Sequence, residues 1–110
     1  MVGTLQQKKT IVAPADTISV DYSYVDFDGF GTVLDGDSLI TVTSSGAWTT
    51  TISYYDGSGW ISRFPTSGGN GGSTSISVSS GYDGFGRFGY ITFTCGTATA
   101  TVQISQYGAI

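Results

Sequence analysis

The chain has 110 residues, including 17 Gly, 2 Pro, eight acids that are all Asp, four basic residues (Lys8, Lys9, Arg63, Arg87), no His and a formal net charge of -4. This length supports one domain, and the acid-leaning charge excludes a nucleic-acid partner, because no basic stripe is present to displace phosphate counterions. No apolar run approaches the roughly 20 residues that cross a bilayer, so no membrane insertion is expected; without His neither a Ser-His-Asp nor a Cys-His arrangement can form.

Residues 1–15 read as an arm: polar, ending in Ala13-Pro14-Ala15, with Ile11 and Val12 as its apolar anchors. A polar terminus is by default loose; the alternative is an arm held by a partner through Lys8, Lys9, Ile11 and Val12. The opening "MVGTLQQKKTIVAPAD" carries two lysines but no apolar h-region, so it is not a secretory signal. The expectation is a start about fifteen residues ahead of the first strand, in a protein that reaches its working place without secretion.

Strand signals begin at Asp16. In "DTISVDYSYVDF", Ile18, Val20, Tyr22 and Tyr24 alternate with polar residues, predicting one half-buried strand with Tyr22 and Tyr24 on its inner face. "DGFGTVLDGD" is a glycine-rich loop or short hairpin, and "SLITVTSSG" turns Ile40 and Val42 inward. "AWTTTIS" groups Trp48, Thr50 and Ile52, which makes Trp48 a core anchor. "YYDGSGWISRFP" turns at Asp56 to Gly59 and brings in Trp60, "TSGGNGGST" reads as a flexible loop, and "SISVSS" places Ile76 and Val78 inward. "RFGYITFTC" sets Gly89, Ile91, Phe93 and Cys95 on one face and Phe88 and Tyr90 on the other, and "TATATVQISQYG" sets Ala98, Ala100, Val102 and Ile104 inward. About seven short strands separated by turns every eight to twelve residues or so predict an all-β, immunoglobulin-like sandwich over residues 16–110, with the arm at 1–15.

The order Trp48, "GWISRFPTSGGNGG", "GYDGFGRFGYITF" and "TVQISQYG" resembles the BACON domains, small immunoglobulin-like modules of gut Bacteroidota and their phages. The corresponding positions are Trp48, Trp60-Ile61, Pro65 to Gly68, Arg87 to Ile91, and Gln106; the family's frequent Asn before the Arg strand is replaced by Asp83. The resemblance implies carbohydrate or mucin binding, an association that comes from the glycoside hydrolases beside which such domains sit. Fold analogy does not itself establish function.

Chemistry must then come from the residues. Cys95 is single and faces inward, where a small thiol is inert, and no pair of Asp carboxyls is singled out for glycoside chemistry, so a non-enzyme without a cofactor is expected. Asp26, Asp28, Asp35 and Asp37 share one loop region but lack the spacing of an EF-hand; they read as turn residues rather than a calcium site. Candidate contact residues are aromatic: Phe88 and Tyr90 on an outward face, and Phe30, Tyr54, Tyr55, Tyr82 and Phe85 at loop ends. "DGFG" occurs at residues 28–31 and 83–86; each copy reads as a turn presenting one ring, and the two form one patch if they share an end of the sandwich. Two functions fit. One is a structural or interaction protein of a phage virion, such as a capsid decoration protein, whose partners are other virion proteins and host or mucin glycans. The other is a carbohydrate-binding module of a secreted or cell-surface protein.

Overall fold

The computed structural model describes residues 15–108, so Lys8, Lys9, Ile11 and Val12 lie outside the described residues. Ten strands form: β1 (Ile18–Val20), β2 (Tyr24–Phe27), β3 (Val33–Asp35), β4 (Leu39–Ser44), β5 (Trp48–Tyr54), β6 (Ile61–Phe64), β7 (Ser67–Gly68), β8 (Ser73–Val78), β9 (Arg87–Cys95) and β10 (Ala98–Gln106). They make two sheets, one of order β1-β4-β8-β6 and one of order β3-β2-β10-β9-β5-β7. All pairings are antiparallel except β2 with β10. This is the expected all-β sandwich.

The core lies between the sheets and is built from alternate positions: Ile40 and Val42 on β4, Ile76 on β8, Ile91, Phe93 and Cys95 on β9, Val102 and Ile104 on β10. Two buried indoles stand at its opposite ends. Trp48 packs on Phe93 and donates Nε1–H to Gly69 O at 2.7 Å; Trp60 packs on Tyr54 and donates to Asp56 O at 2.7 Å. Each indole N–H is thus satisfied where water cannot reach it.

One predicted strand is two. The run from Asp16 to Phe27 leaves the first sheet at Asp21, whose carboxylate accepts from Thr41 N (2.9 Å), and joins the second where Gln103 N donates to Ser23 O (2.9 Å). Ile18 and Val20 pack on the core from one sheet, while Val25 and Phe27 are buried from the other. The crossing changes the parity, so Tyr22 and Tyr24 are exposed at 38% and 44% instead of lying on the inner face.

The glycine run after Pro65 is also a correction. It is pinned rather than flexible: Trp48 pairs in register with Gly68, and Asn70 Oδ1 accepts from Ser44 N at 3.0 Å. A Cβ on Gly68 would stand 2.6 Å from Trp48 Cζ2. Gly68→Ala therefore forces the largest core ring to move and is expected to cost ~1–3 kcal/mol, read as a melting temperature lower by roughly 5–15 °C.

Candidate functional site

Both DGFG loops stand at the same end of the sandwich, and each is a turn of its own kind. In the first, Asp28 Oδ1 accepts from Phe30 N and Thr32 N, both at 2.9 Å, and Gly31 takes φ +89°, which only glycine adopts without strain. In the second, Gly86 N donates to Tyr82 Oη at 3.2 Å, and Gly84 lies so close to the Tyr82 ring that a side chain there would force the ring to shift. The loops touch through their backbones, with Gly81 N and Tyr82 N donating to Gly29 O at 2.7 and 3.1 Å.

What fixes this contact is Gln106, fully buried at the end of β10. Its Nε2 donates to Asp28 O (3.1 Å) in one loop and to Ser79 O (2.8 Å) at the root of the other. Its Oε1 accepts from Arg87 Nε (3.0 Å) and Nη2 (2.8 Å). The guanidinium lies 4.6 Å from the Trp60 ring centroid and 4.2 Å from that of Tyr82, held by cation–π attraction as well as by the amide. Two residues of the sequence pattern, Arg87 and Gln106, thus form one clamp that ties both loops to the core.

The clamped end presents Phe85 at 98% and Phe30 at 71% exposure. Beside them, on the outward face of the six-stranded sheet, Tyr55 stacks on Phe88 (centroids 4.5 Å apart, planes 5° from parallel), and Phe88 meets Tyr90 edge-on at 6.2 Å. A groove of about 410 Å³ runs between loop tip and sheet, lined by Phe85, Gly86, Arg87, Phe88, Gln103, Ser105 and Tyr107. Ser105 is 95% buried here by its 5% exposure; its hydroxyl accepts weakly from Gln103 Nε2 (3.3 Å), and among the described residues it donates to no protein group.

Of the predicted contact residues, Phe30, Tyr55, Phe85, Phe88 and Tyr90 come together at this end or on the adjoining face. Tyr82 is half-buried over Arg87 and supports the loop. Tyr54 is a correction: it points inward, packs on Trp60, and its hydroxyl lies 3.3 Å from both Ile61 N and Ile61 O. The alternation Trp48, Thr50, Ile52, Tyr54 already places it on the inner face. Tyr107, at 48% exposure, joins the groove unforeseen. Phe64, 80% exposed on β6, was unforeseen too and belongs to the other sheet.

The acidic loop region serves its own backbone: Asp35 Oδ1 accepts from Gly36 N and Asp37 Oδ1 from Leu39 N. Among the described residues no group of three or more His, Cys, Asp or Glu could hold a metal ion. Asp26 sits directly across from Asp35 in the β2–β3 pairing. Partial burial, and then the Asp35 charge, raise the Asp26 pKa above the ordinary carboxylate value. A raised folded pKa means that ionised Asp26 weakens the fold at neutral pH and that the penalty fades as pH falls through that pKa. Asp26→Asn should stabilise the protein at pH 7 by up to about 1 kcal/mol, the scale of cross-strand like-charge pairs. The difference in melting temperature should close toward pH 3.

Residues 46–107 match the family model BACON, described as "Putative binding domain, N-terminal". No curated protein sequence matches the chain. Among solved structures, a Bacteroides ovatus GH5 xyloglucanase in complex with a XXXG heptasaccharide aligns at TM-score 0.67 and 16% identity, covering 86% of this chain and 19% of that one. The seventh PapD-like domain of human CEP192 aligns at 0.58 and 15% identity, over 94% of both chains. A Bacteroides thetaiotaomicron protein aligns at 0.52 and 12%, over 96% of this chain and 97% of that one. At such identities the likeness is one of fold, and this chain spans only about a fifth of the xyloglucanase's length.

Proposed function

Since this chain belongs to the BACON family, we propose that it is a non-catalytic interaction module whose contact surface is the aromatic end held by the Arg87–Gln106 clamp. The observation that carries the reading is the pair Phe30 and Phe85, two rings that no core requires, held out by loops bonded to each other and to a buried amide. Exposed apolar rings on a rigid base are the anatomy of a protein interface, where a few aromatic anchors carry most of the binding energy. Both Trp side chains, the stronger sugar-stacking platforms by ring size, are buried in the core. The two rings at the loop tips, Phe30 and Phe85, lack a polar handle. A protein partner therefore fits this end better than a glycan. The setting we infer is an assembled particle, a phage virion in which the module decorates the capsid.

A second reading is favoured by the adjoining sheet face, where the register sets Tyr24, Gln103, Tyr90 and Ser53 in one row beside the Tyr55–Phe88 stack. Flat rings interleaved with amide and hydroxyl groups suit the apolar face and hydroxyls of a sugar, as in a carbohydrate-binding module of a secreted or cell-surface protein. Affinity electrophoresis through mucin and through xyloglucan separates the readings. Retardation that is lost in Tyr55→Ala with Phe88→Ala and kept in Phe30→Ala with Phe85→Ala assigns the sheet face to glycan. No retardation leaves the protein-partner reading, which co-sedimentation with phage particles lacking this protein then tests.

A further inference from the structure

The described residues carry all eight Asp and only two basic side chains, Arg63 and Arg87. Neither cation is free for a partner: Arg63 reaches across to Thr50 Oγ1 and O, and Arg87 is enclosed by Gln106, Trp60 and Tyr82. The aromatic end is the acidic pole of such a body, with Asp28, Asp56 and Asp83 all in its loops. Both lysines, with Ile11 and Val12 just after them, fall in residues 1–14. That segment joins the body at the opposite pole, where the Asp16 carboxylate accepts from Thr97 N at 2.9 Å in the β9–β10 turn. The nine residues of β9 separate the two poles, roughly 27 Å at ~3.3 Å per residue.

We propose that the aromatic end receives the basic segment Lys8–Val12 of a second copy of this chain, giving a head-to-tail contact between copies. This rests on the aromatic end being the contact surface. Lys8 and Lys9 meet the carboxylates of the loops, where opposite charge steers and registers the encounter. Ile11 and Val12 lie in the groove beside Phe85, Phe88 and Tyr107, whose volume of about 410 Å³ holds two aliphatic side chains. An extended backbone passing along the groove supplies the carbonyl acceptor that the buried Ser105 hydroxyl lacks. Because donor and acceptor surfaces are different patches at opposite poles, the contact is heterologous and propagates into a ring or an open row instead of closing as a two-fold dimer.

Sedimentation velocity on the full chain across a wide concentration range tests this. Association that grows beyond dimers, weakens with added salt and falls roughly tenfold or more in Lys8→Glu with Lys9→Glu is the expected result. Phe85→Ala should weaken it as well. A chain that is monomeric throughout overturns the proposal. So does association indifferent to the lysine changes but lost in Phe85→Ala, which is end-to-end pairing of aromatic poles. If the chain stays monomeric while Phe30→Ala with Phe85→Ala abolishes binding to phage particles, only the self-contact fails and the contact surface stands.

Discussion

Replacing Gln106 with Leu is expected to lower the melting temperature by roughly 15–25 °C, corresponding to ~3–5 kcal/mol in a domain of this size. Leucine fills the space but returns none of the four hydrogen bonds. The carbonyls of Asp28 and Ser79 lose their amide donor, and the Arg87 guanidinium loses its acceptor between two rings. The Asp28 carbonyl keeps its bond from Gly31 N (3.0 Å), whereas the carbonyl left unsatisfied at Ser79 costs ~1–3 kcal/mol and an uncompensated cation in such a place costs more. Gln106→Glu serves as the control. It keeps an acceptor for Arg87, now as an ion pair, but turns an oxygen toward the two carbonyls, so an intermediate loss is expected. If Gln106→Leu melts within about 2 °C of the parent, the clamp does not hold the loops.

The same substitution reaches function, because it removes part of what joins the loops at their bases. Gly81 N and Tyr82 N on Gly29 O, and Gln106 beneath them, fix where Phe30 and Phe85 stand relative to each other. A partner that needs both rings would then bind Gln106→Leu more weakly even at temperatures where it stays folded.

Period-2 alternation made most of the sheets legible in the sequence. Trp48, Ile40, Val42, Ile91, Phe93, Cys95, Val102 and Ile104 are buried where the rhythm puts them. It misled where the chain changes sheets, because Asp21 substitutes a side-chain acceptor for a ladder bond and resets the parity for Tyr22 and Tyr24. It also hid the role of the glycine run, in which Gly68 is set by the bulk of Trp48 across the pairing. At the candidate site the exposed rings could be named from the loops, but not their grouping. That grouping depends on contacts such as Gln106 to Asp28, 78 positions apart, which no local pattern encodes. Tyr107 escaped notice because it follows the last strand, although the close approach of Gly86 to its ring brings it into the groove.

Phe30→Ala with Phe85→Ala is the second large effect. Both rings are mostly in solvent, so stability should change by no more than about 0.5 kcal/mol for each. Affinity for a protein partner should fall about 100-fold or more, since aromatic hot spots cost about 2 kcal/mol or more apiece on truncation. Phe64→Ala is the matched control: a ring of similar exposure on the other sheet, away from the clamped loops. The most direct measurement is co-sedimentation of three proteins with phage particles lacking this one: the intact chain, the Phe30/Phe85 double variant and Phe64→Ala. Stoichiometric binding by the intact chain and by Phe64→Ala, with none by the double variant, is the predicted result. Equal binding by all three, or loss in Phe64→Ala alone, would contradict the assignment of the aromatic end as the contact surface.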